Sequence, residues 1–460
     1  MLAEVERTLR VSCRVSPGSK LLVAVSGGGD SIALLALLRE LAENYPLTLE
    51  AAHFDHQMRT TSAVDAEFVR NICRQLNVPL RVGSENVPAL ASQRGRGLEE
   101  AARHARRAFL EKSATDLGCD AVALGHHQED QAETFLHRLI RGSGLSGLAA
   151  MRFRSGLYVR PLLNLPSVRL RGYLQARGLS CVEDESNADR RFTRNRIRHE
   201  LVPLLQTFNP QIVPQLNALI SRIACEEDFW QQETLRAFTA SGTASKGEVC
   251  FERSTLLSLH PALRMRVLRH GLILVRGQVH GVVAVHLEAI DAQLQSPVPQ
   301  SDLAFGGVWS CRRYDRFFLR REPFLTADSY AVEIDGPGIF ALPRGRELKV
   351  SLISRSGGEG RQAVEFDAGK VSFPLRVRTF RKGDRFQPSG MAGHKKVKDF
   401  FVDEKIPREE RQRIPLVEWE GQILWIAGWR RCAGLAPGQD GGTVLRLEVS
   451  PSDPSPGNGG

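Results

Sequence analysis

The feature that most restricts the fold is a glycine-rich turn between a predicted strand and a predicted helix. Residues 26–31 read SGGGDS and follow the apolar run Leu21–Val25. Glycines let backbone N–H groups turn toward an anion, and the N-terminus of the next helix adds a partial positive charge. Ser26 and Ser31 add hydroxyl donors, and Asp30 beside phosphates indicates a cation such as Mg²⁺. A tight strand–helix turn that has a capping residue and binds no phosphate would have a similar sequence.

Strand and helix patterns alternate through about residue 200. Further strand patterns occur at Leu47–Phe54, Leu80–Val82 and Ala121–Leu124, and helix patterns at Glu67–Leu76, Gly97–Leu117 and Glu129–Arg141. Such alternation predicts an α/β fold, here a Rossmann-like parallel sheet with helices on both faces. Ligands of such sheets bind beyond the carboxyl ends of the strands.

The 460 residues exceed what one hydrophobic core usually serves, so several domains are expected. We predict a catalytic domain at 1–208 and a mostly helical domain at 209–335, with a strand pair at Phe305–Phe318. A small, basic, mixed α+β domain should follow at 345–447. The last residues, 448–460, are rich in Ser, Pro and Gly and are predicted to be disordered.

Composition restricts the function classes. Lysine and arginine total 62 against 52 acids, which gives a net charge of +10 and favours a polyanionic partner. The eight cysteines are scattered without a CxxC pair, which argues against a disulfide framework or a zinc site. No apolar run approaches the roughly 20 residues that span a bilayer, and the charged N-terminus lacks a signal peptide's apolar region. We therefore expect a cytoplasmic protein without membrane contact.

Five further stretches narrow the family. They read HFDHQMR (53–59), LEEAARHARRAF (98–109), HHQEDQAETFLHRLIR (126–141), EDESNADRRFTRNRIRHELVP (183–203) and FRKGDRFQPSGMAGHKKVKDFFVDEKIPREER (380–411). SGGGDS resembles the PP-loop of the N-type ATP pyrophosphatases, which cleave ATP between its α- and β-phosphates. Together, in this order, the stretches resemble the motif series of the tRNA(Ile)-lysidine synthetases. The middle domain matches that family only loosely.

This resemblance implies a specific reaction. The enzymes of the family adenylate the C2 oxygen of the wobble cytidine in the CAU-anticodon isoleucine tRNA. The ε-amine of free L-lysine then displaces AMP, so that the tRNA reads AUA. ATP, with Mg²⁺ at Asp30, is the expected cofactor set, and a homodimer is one option for the assembly. The ATP site would comprise Ser26, Gly27, Gly28, Gly29, Asp30 and Ser31, with His53 and Asp55 near the adenosine or the metal.

Two acidic residues are the candidate lysine site. Asp130 and Glu133 lie three apart on one predicted helix and therefore share a face. Paired carboxylates suit an ammonium ligand, and one of them can accept the proton that a nucleophilic amine must lose. The sequence leaves open which carboxylate binds the ammonium and which accepts the proton. Without the motif match, an ordinary solvated helix face would be the simpler interpretation.

Arginines supply the opposite charge. Arg106 stands where the family's ARxxR element places an arginine, and it can neutralise phosphate or adenylate charge. Of the three arginines in FTRNRIRHE, Arg196 and Arg198 are our preferred candidates for the lysine carboxylate or a phosphate, over Arg194. At alternating spacing the three cannot share one helical face.

Two positions depart from the family pattern. The family usually has an aromatic residue where this chain has Arg107, which puts the local packing in question. It also tends to have aspartate where this chain has Glu129, which keeps the charge on a longer arm.

The C-terminal domain carries the candidate RNA surface. Its basic residues are Arg376, Arg378, Arg381, Lys382, Arg385, His394, Lys395, Lys396 and Lys398. We take Arg381, Lys395, Lys396 and Lys398 as the binding candidates, because cations neutralise phosphates. The interleaved Phe380, Phe386, Phe400 and Phe401 could stack on unpaired bases, but a small domain must also bury a core, which is the stronger expectation. The resemblance implies that this end holds the acceptor stem.

Three alternatives remain at this point. A PP-loop tRNA cytidine thiolase would share the ATP step, although such enzymes typically use paired cysteines. A small-molecule ligase of the PP-loop group would not need the basic C-terminal belt. A non-catalytic RNA-binding protein would not need an intact SGGGDS or the Asp130–Glu133 pair.

Overall fold

The protein was analysed as a computed structural model, which describes residues 1–57, 62–94, 97–182, 193–277, 284–325, 328–438 and 442–450. The chain forms two compact units, Met1–Gln231 and Gln232–Gly460. The finer domain boundaries expected from the sequence stay predictions. Part of the 183–203 motif, namely 183–192, lies outside the described residues, as do 58–59 of the HFDHQMR stretch and 451–460 of the predicted disordered tail.

The first unit contains the predicted parallel sheet. Its strands are β1 (Lys20–Ala24), β2 (Thr48–Asp55), β3 (Leu80–Ser84), β4 (Ala121–Ala123), β5 (Arg154–Ser155) and β6 (Tyr158–Val159). The order is β3-β2-β1-β4-β6-β5, and all neighbours are parallel except the short edge strand β5. The predicted α/β class is therefore confirmed, and β1 lies inside the sheet with its PP-loop end flanked by β2 and β4.

Helices α2 (Gly29–Leu41), α3 (Ser62–Gln75) and α5 (Leu98–Asp116) contact the strands of this sheet. The other helices that begin in the first unit are α1 (Leu2–Arg7), α4 (Val87–Arg94), α6 (Gln128–Ile140), α7 (Leu145–Leu148), α8 (Ser167–Ala176), α9 (Thr193–Arg196), α10 (Val202–Phe208) and α11 (Ile212–Ser241), whose last ten residues belong to the second unit, and π-helical turns occur at Thr8–Ser12 and Ile197–Leu201. The leucines of α2 are buried in the main core. Each such side chain contributes about 1.5–3 kcal/mol relative to exposure, which fixes the helix that follows the glycine-rich turn.

A glycine sets the distance between the sheet and α5. A β-carbon on Gly83, in β3, would lie 2.3–2.9 Å from ring atoms of Phe109 in α5. The Phe109 ring also packs against Phe54 of β2, with 5.3 Å between ring centroids. The absence of a side chain at Gly83 therefore lets α5 lie close to the strands.

The second unit begins with a helical region that includes a sheet. Strands β7 (Gly242–Ser245), β8 (Glu248–Glu252), β9 (Gln300–Phe305), β10 (Val308–Arg313) and β11 (Arg316–Arg320) form an antiparallel sheet of order β7-β8-β11-β10-β9. It packs with α12 (Arg253–Ser258), α13 (Pro261–Arg276) and α14 (Ala284–Gln295). The helical character is as predicted, and the strand pair expected at Phe305–Phe318 belongs to this larger sheet.

The remainder of the second unit is mixed α+β, as predicted. Its strands are β12 (Ala331–Ile334), β13 (Gly338–Leu342), β14 (Arg346–Ile353), β15 (Ala363–Asp367), β16 (Leu375–Arg378), β17 (Arg385–Phe386), β18 (Lys395–Lys396), β19 (Leu416–Trp419), β20 (Gln422–Ile426), β21 (Arg430–Arg431) and β22 (Val444–Val449). A 3-10 turn (Pro343–Gly345) and the helices α15 (Val397–Asp403) and α16 (Arg408–Arg411) complete it. Strand β22 pairs with β14 as far as Val449, so ordered structure extends two residues past the predicted end of the domain.

Candidate active site and RNA-binding surface

Hydrogen bonds of its own serines fix the conformation of the glycine-rich turn. Gly27 has a φ of +96°, a conformation that favours glycine, and Gly28 precedes the first residue of α2. The Ser26 N–H donates to the Ser31 hydroxyl at 3.1 Å, and that hydroxyl donates to the Gly28 carbonyl at 2.8 Å. The turn therefore presents the N-terminus of α2 at the carboxyl end of β1, as an anion site requires.

The segment after β4 closes on this turn. A β-carbon on Gly125 would lie 3.0 Å from the carbonyl oxygen of Asp30 and 3.1 Å from the Ser31 nitrogen. The next two residues, His126 and His127, lead directly into α6. The start of α6 is thereby placed beside the start of α2.

His127 connects the two helix starts. Its Nε2 lies 3.3 Å from Asp30 Oδ2, and its Nδ1 lies 2.9 Å from Glu129 Oε2. Its backbone N–H donates to Asp130 Oδ2 at 3.1 Å, which closes a capping box. Burial alone would lower the pKa of His127, but the hydrogen bonds to Asp30 and Glu129 and the charge of Asp130 raise it to about 10. His127 is therefore an imidazolium that ties the loop to α6.

Asp130 and Glu133 are brought together as predicted, on one face of α6. Both are buried, at 7% and 2% relative exposure. Arg194 donates to Asp130 Oδ1 at 3.0 Å and to Glu133 Oε2 at 3.2 Å. Arg198 donates to Asp130 Oδ1 at 3.0 Å and to both oxygens of Glu133 at 2.5 and 3.0 Å. Burial opposes ionisation of Asp130, but His127 and Arg194 outweigh it and hold the pKa of Asp130 below its ordinary value.

The preference for Arg196 over Arg194 does not match this geometry. Arg196 points away from the carboxylates, pairs with Glu200 at 3.3 Å and is 63% exposed. Residues 194 and 198 are four apart in a helical segment and share a face, whereas 196 lies on the opposite side. Arg198 lies against both acids, and its contact with the lysine carboxylate or a phosphate stays a prediction; Arg194 is the arginine that the sequence argument passed over.

Arg106 projects from α5 into a cavity of about 1130 Å³. The cavity lies beyond the carboxyl ends of β2 and β4, where His56 and Leu124 line it. Arg106 keeps solvent contact through this opening, yet the surrounding protein desolvates it. Burial first, and then repulsion by Arg103 and Arg194, lowers the pKa of Arg106. Among the described residues no carboxylate forms an ion pair with Arg106, so this guanidinium is suited to bind an anion.

His53 contacts the residue just before the glycine-rich turn, and Asp55 makes a local contact after β2. His53 is buried, and its Nδ1 lies 2.9 Å from the carbonyl oxygen of Val25, just before the glycine-rich turn. Asp55 accepts the Gln57 N–H at 2.8 Å and so shapes the chain after β2. Their contact with a nucleotide stays a prediction.

The two departures from the family pattern are accommodated. Arg107 pairs with Glu111 at 2.8 Å and lies over the Tyr158 ring, 5.3 Å from its centroid, so the arginine packs where the family has an aromatic residue. Glu129 reaches Ser167 at the start of α8, accepting its N–H at 3.0 Å and its hydroxyl at 3.0 Å. Burial raises the pKa of Glu129, but His127 and the Ser167 N–H more than reverse this.

Sequence reasoning missed His127 and Gly125 as site residues. The signal for His127 was its place one residue before a predicted helix start with acids in the first turn, which is a capping position. Gly125 carries no comparable signal, because its role depends on a contact with a segment 95 positions away in the chain.

The C-terminal basic residues form a surface around the hairpin of β17 and β18. Arg381, Lys382, Arg385, His394, Lys396 and Lys398 are exposed, and Arg385 faces Lys396 in the hairpin register. Lys395 is partly covered and pairs with Asp403. Arg378 is buried and pairs with Asp384 and Glu418, so it is a structural residue. The four phenylalanines pack in a hydrophobic core, which the sequence favoured over stacking on unpaired bases.

Among the described residues, none of the helices has the length and apolar character needed to cross a membrane. This agrees with the hydropathy pattern of the sequence.

Known families match three parts of the chain: a PP-loop domain at 1–205, a TilS substrate binding domain at 251–317 and a TilS substrate C-terminal domain at 375–447. A tRNA(Ile)-lysidine synthase of Geobacter sulfurreducens is 38% identical over 94% of this chain and 93% of its own length. One of Geobacillus kaustophilus is 34% identical over 91% and 92%. A crystal structure of a TilS C-terminal domain is 34% identical and is covered over its whole length by 28% of this chain, with a TM-score of 0.26. By its near full-length similarity to these relatives, the chain belongs to the tRNA(Ile)-lysidine synthase family that its motifs predict.

Proposed function

We propose that the protein ligates free L-lysine to C2 of the wobble cytidine in the CAU-anticodon isoleucine tRNA. The C2 oxygen attacks the α-phosphate of ATP and pyrophosphate leaves. The ε-amine of lysine then bonds to C2, the C2–O bond breaks, AMP leaves and the amine loses a proton. The observation that carries this proposal is the buried Asp130–Glu133 pair at the start of α6, tied through His127 to the glycine-rich turn.

The glycine-rich turn supplies the ATP site. The backbone N–H groups at the start of α2, with Ser26 and Ser31, face the phosphates. Asp30 offers one carboxylate, 44% exposed, in the first turn of α2. Mg²⁺ commonly binds through one or two carboxylates together with phosphates, so this residue fits the ion that the family's use of ATP implies. When bound there, Mg²⁺ would neutralise charge on the phosphates.

Asp130 and Glu133 supply the lysine site. Buried carboxylates hold an ammonium more strongly than exposed ones, because water screens them less. One of the two binds the ε-ammonium, and a carboxylate at this position also accepts the proton lost on attack. Arg198, which pairs with both acids, holds the lysine carboxylate or a phosphate.

Arg106 and the exposed cations of the second unit bind negatively charged groups of the adenylated tRNA. Arg106 stabilises the negative charge of the adenylate and its leaving group. Arg381, Lys396 and Lys398 contact tRNA phosphates. Lys395 contributes less to phosphate binding, because its charge is already neutralised by Asp403. A cytoplasmic location and a homodimer stay predictions.

A transfer assay tests the proposal. Purified protein, ATP–Mg²⁺, radiolabelled L-lysine and the CAU-anticodon isoleucine tRNA are mixed, and acid-precipitable label is counted. We expect ATP-dependent label in the tRNA, and a loss of at least about 100-fold in Asp130→Asn and Glu133→Gln, as for removal of a catalytic acid or base. Arg169→Ala, which removes only a surface pair with Glu4, serves as the matched control.

Two outcomes would contradict the proposal. ATP cleavage to AMP on adding RNA, without lysine transfer, would keep the PP-loop chemistry but assign another acceptor, as in a thiolase. Equal label in the methionine tRNA with the same CAU anticodon would show that the proposed substrate is not selected.

A further inference from the structure

Trp429 is the large aromatic residue that the second unit exposes. Trp429 is 36% exposed, and among the described residues of this unit no other phenylalanine, tyrosine or tryptophan has an exposed side chain. The four phenylalanines of the basic sequence, which could have stacked on bases, pack in a core instead. If this unit stacks a protein ring on RNA, the described residues leave Trp429 for that contact.

A tight turn holds the indole at the surface. Trp429 lies between β20 and β21, where Gly428 has a φ of +81° and the Trp429 N–H donates to the Ile426 carbonyl at 2.9 Å. Just after the turn, the Arg431 carbonyl accepts the Ser389 N–H at 3.0 Å. Ser389 belongs to the loop between β17 and β18, so the turn that carries Trp429 is joined directly to the basic hairpin.

Positive charge flanks the indole. The Arg361 Cζ lies 5.9 Å from the centroid of the Trp429 ring, within the roughly 6 Å over which a cation and an aromatic face attract each other. Arg430 is the next residue in the chain and is exposed. Within the described part of the chain, Glu359 neutralises Arg431, whereas no carboxylate forms an ion pair with Arg361 or Arg430. An aromatic face beside such cations offers the two contacts that proteins make with single-stranded nucleic acid.

We propose that the indole of Trp429 stacks on an unpaired nucleobase of the tRNA, and that Arg361 and Arg430 bind the phosphates beside that base. Bases inside a duplex have both faces covered by their neighbours, so an unpaired base is the one that offers a free face. Two sources supply such a base: the single-stranded 3′ end, or a base turned out of a helix or loop. The inference rests on the proposed RNA substrate and adds a base-binding residue in the second unit.

The test measures RNA binding by the full-length protein without chemistry. One hairpin RNA carries a short 3′ overhang, and its partner carries the same overhang with abasic nucleotides, so the phosphates are equal in number. We expect the wild type to bind the intact overhang about 5- to 150-fold more tightly, the range for stacking one base. Trp429→Ala should remove most of this preference, as a double-mutant cycle requires of two groups in contact. A second pair of hairpins with a bulged nucleotide, intact or abasic, distinguishes the 3′ end from an extruded base.

Further variants separate stacking from charge. Trp429→Phe keeps a smaller ring and should retain part of the preference for intact bases. Trp429→Ala should leave the salt slope unchanged, whereas Arg430→Ala should weaken both RNAs of a pair and reduce the slope by about 1. Ile339→Ala, which removes a 67% exposed aliphatic side chain from β13 of the same unit, should behave as the wild type. With tRNA as substrate, Trp429→Ala should raise the KM for tRNA and leave kcat unchanged.

Two results would overturn the inference. If the wild type does not prefer intact bases in either pair, or if Trp429→Ala keeps the whole preference, the ring binds no base. If Trp429→Ala weakens the intact and abasic RNAs equally, the residue supports the basic surface and does not contact a base. The hairpins lack the CAU anticodon, so these results are independent of lysine transfer, which only the transfer assay tests.

Discussion

Gly125 lies so close to Asp30 that a β-carbon at position 125 would sit 3.0 Å from the Asp30 carbonyl oxygen. The neighbouring atoms belong to the backbone of the glycine-rich turn, so they cannot move aside as a flexible side chain would. The phosphate turn and the segment before α6 are therefore fitted to each other through main-chain atoms.

Gly125→Ala should damage the ATP site selectively. The added methyl displaces the backbone of Asp30 and Ser31, so we expect the KM for ATP to rise by about tenfold, since small misplacements in an active site have large effects. Steady-state kinetics with varied ATP would measure this. Gly172→Ala is the control, because that glycine lies within α8 with open space around it. An unchanged KM would mean that the turn adapts to the methyl group.

Gly83→Ala should destabilise the first unit. The new methyl meets the Phe109 ring, which Phe54 holds from the other side, so overpacking should cost about 1–3 kcal/mol in the free energy of unfolding. Urea denaturation would measure it. The double variant with Phe109→Leu should recover part of the loss. If the double variant is no better than Gly83→Ala, the clash with the ring is not the cause.

His126 should contribute to acid destabilisation. Its Nδ1 accepts from Arg160 Nε at 3.2 Å, and burial above all lowers the pKa of His126 from 6.5 to about 4. The unfolded chain therefore binds a proton that the folded chain resists. The neutral His126 therefore contributes roughly 1–3 kcal/mol to the free energy of unfolding. This contribution is fully present above pH 6.5 and is lost as the pH falls through 4. Unfolding free energies measured at pH 7 and pH 4.5 should differ less in His126→Asn than in the wild type, and an equal difference would contradict the assignment.

Two basic residues of the second unit should behave oppositely. Lys396 is exposed in the basic hairpin, so Lys396→Ala should weaken tRNA binding several-fold, reduce the salt slope by about 1 and leave stability unchanged. Arg378 is buried between Asp384 and Glu418, so Arg378→Ala should cost about 3–5 kcal/mol of stability. Filter binding at several salt concentrations and thermal unfolding would separate the two effects. A stable Arg378→Ala with weakened tRNA binding would move Arg378 to the RNA surface.

Local pattern predicted much of this fold. The run Leu21–Val25 and the helix pattern Gly97–Leu117 correspond to β1 and α5 within one residue at each end, because strand and helix periodicities are strong there. The middle sheet was only partly visible, since β7 and β8 are short and their pairing with β11 joins distant segments.

The site was predicted to the level of residue type and spacing. That Asp130 and Glu133 lie on one face follows from their spacing of three on a helix. The same rule favours Arg194 over Arg196 as the partner of Arg198, because residues 194 and 198 are four apart in a helical segment and residues 196 and 198 are only two apart, and the sequence argument did not apply it. Contacts that join separate segments, such as Gly125 with Asp30, have no local signature at all.

Glu129 gives a caution for engineering this protein. Substitution toward the residue most common in a family is often stabilising, and at this position that rule would suggest aspartate. Here the longer glutamate arm lets one carboxylate receive both His127 and the first residue of α8. Aspartate is shorter by one methylene group and would lose one of these two contacts, so the family-typical side chain would weaken the link between α8 and α6 in this particular background.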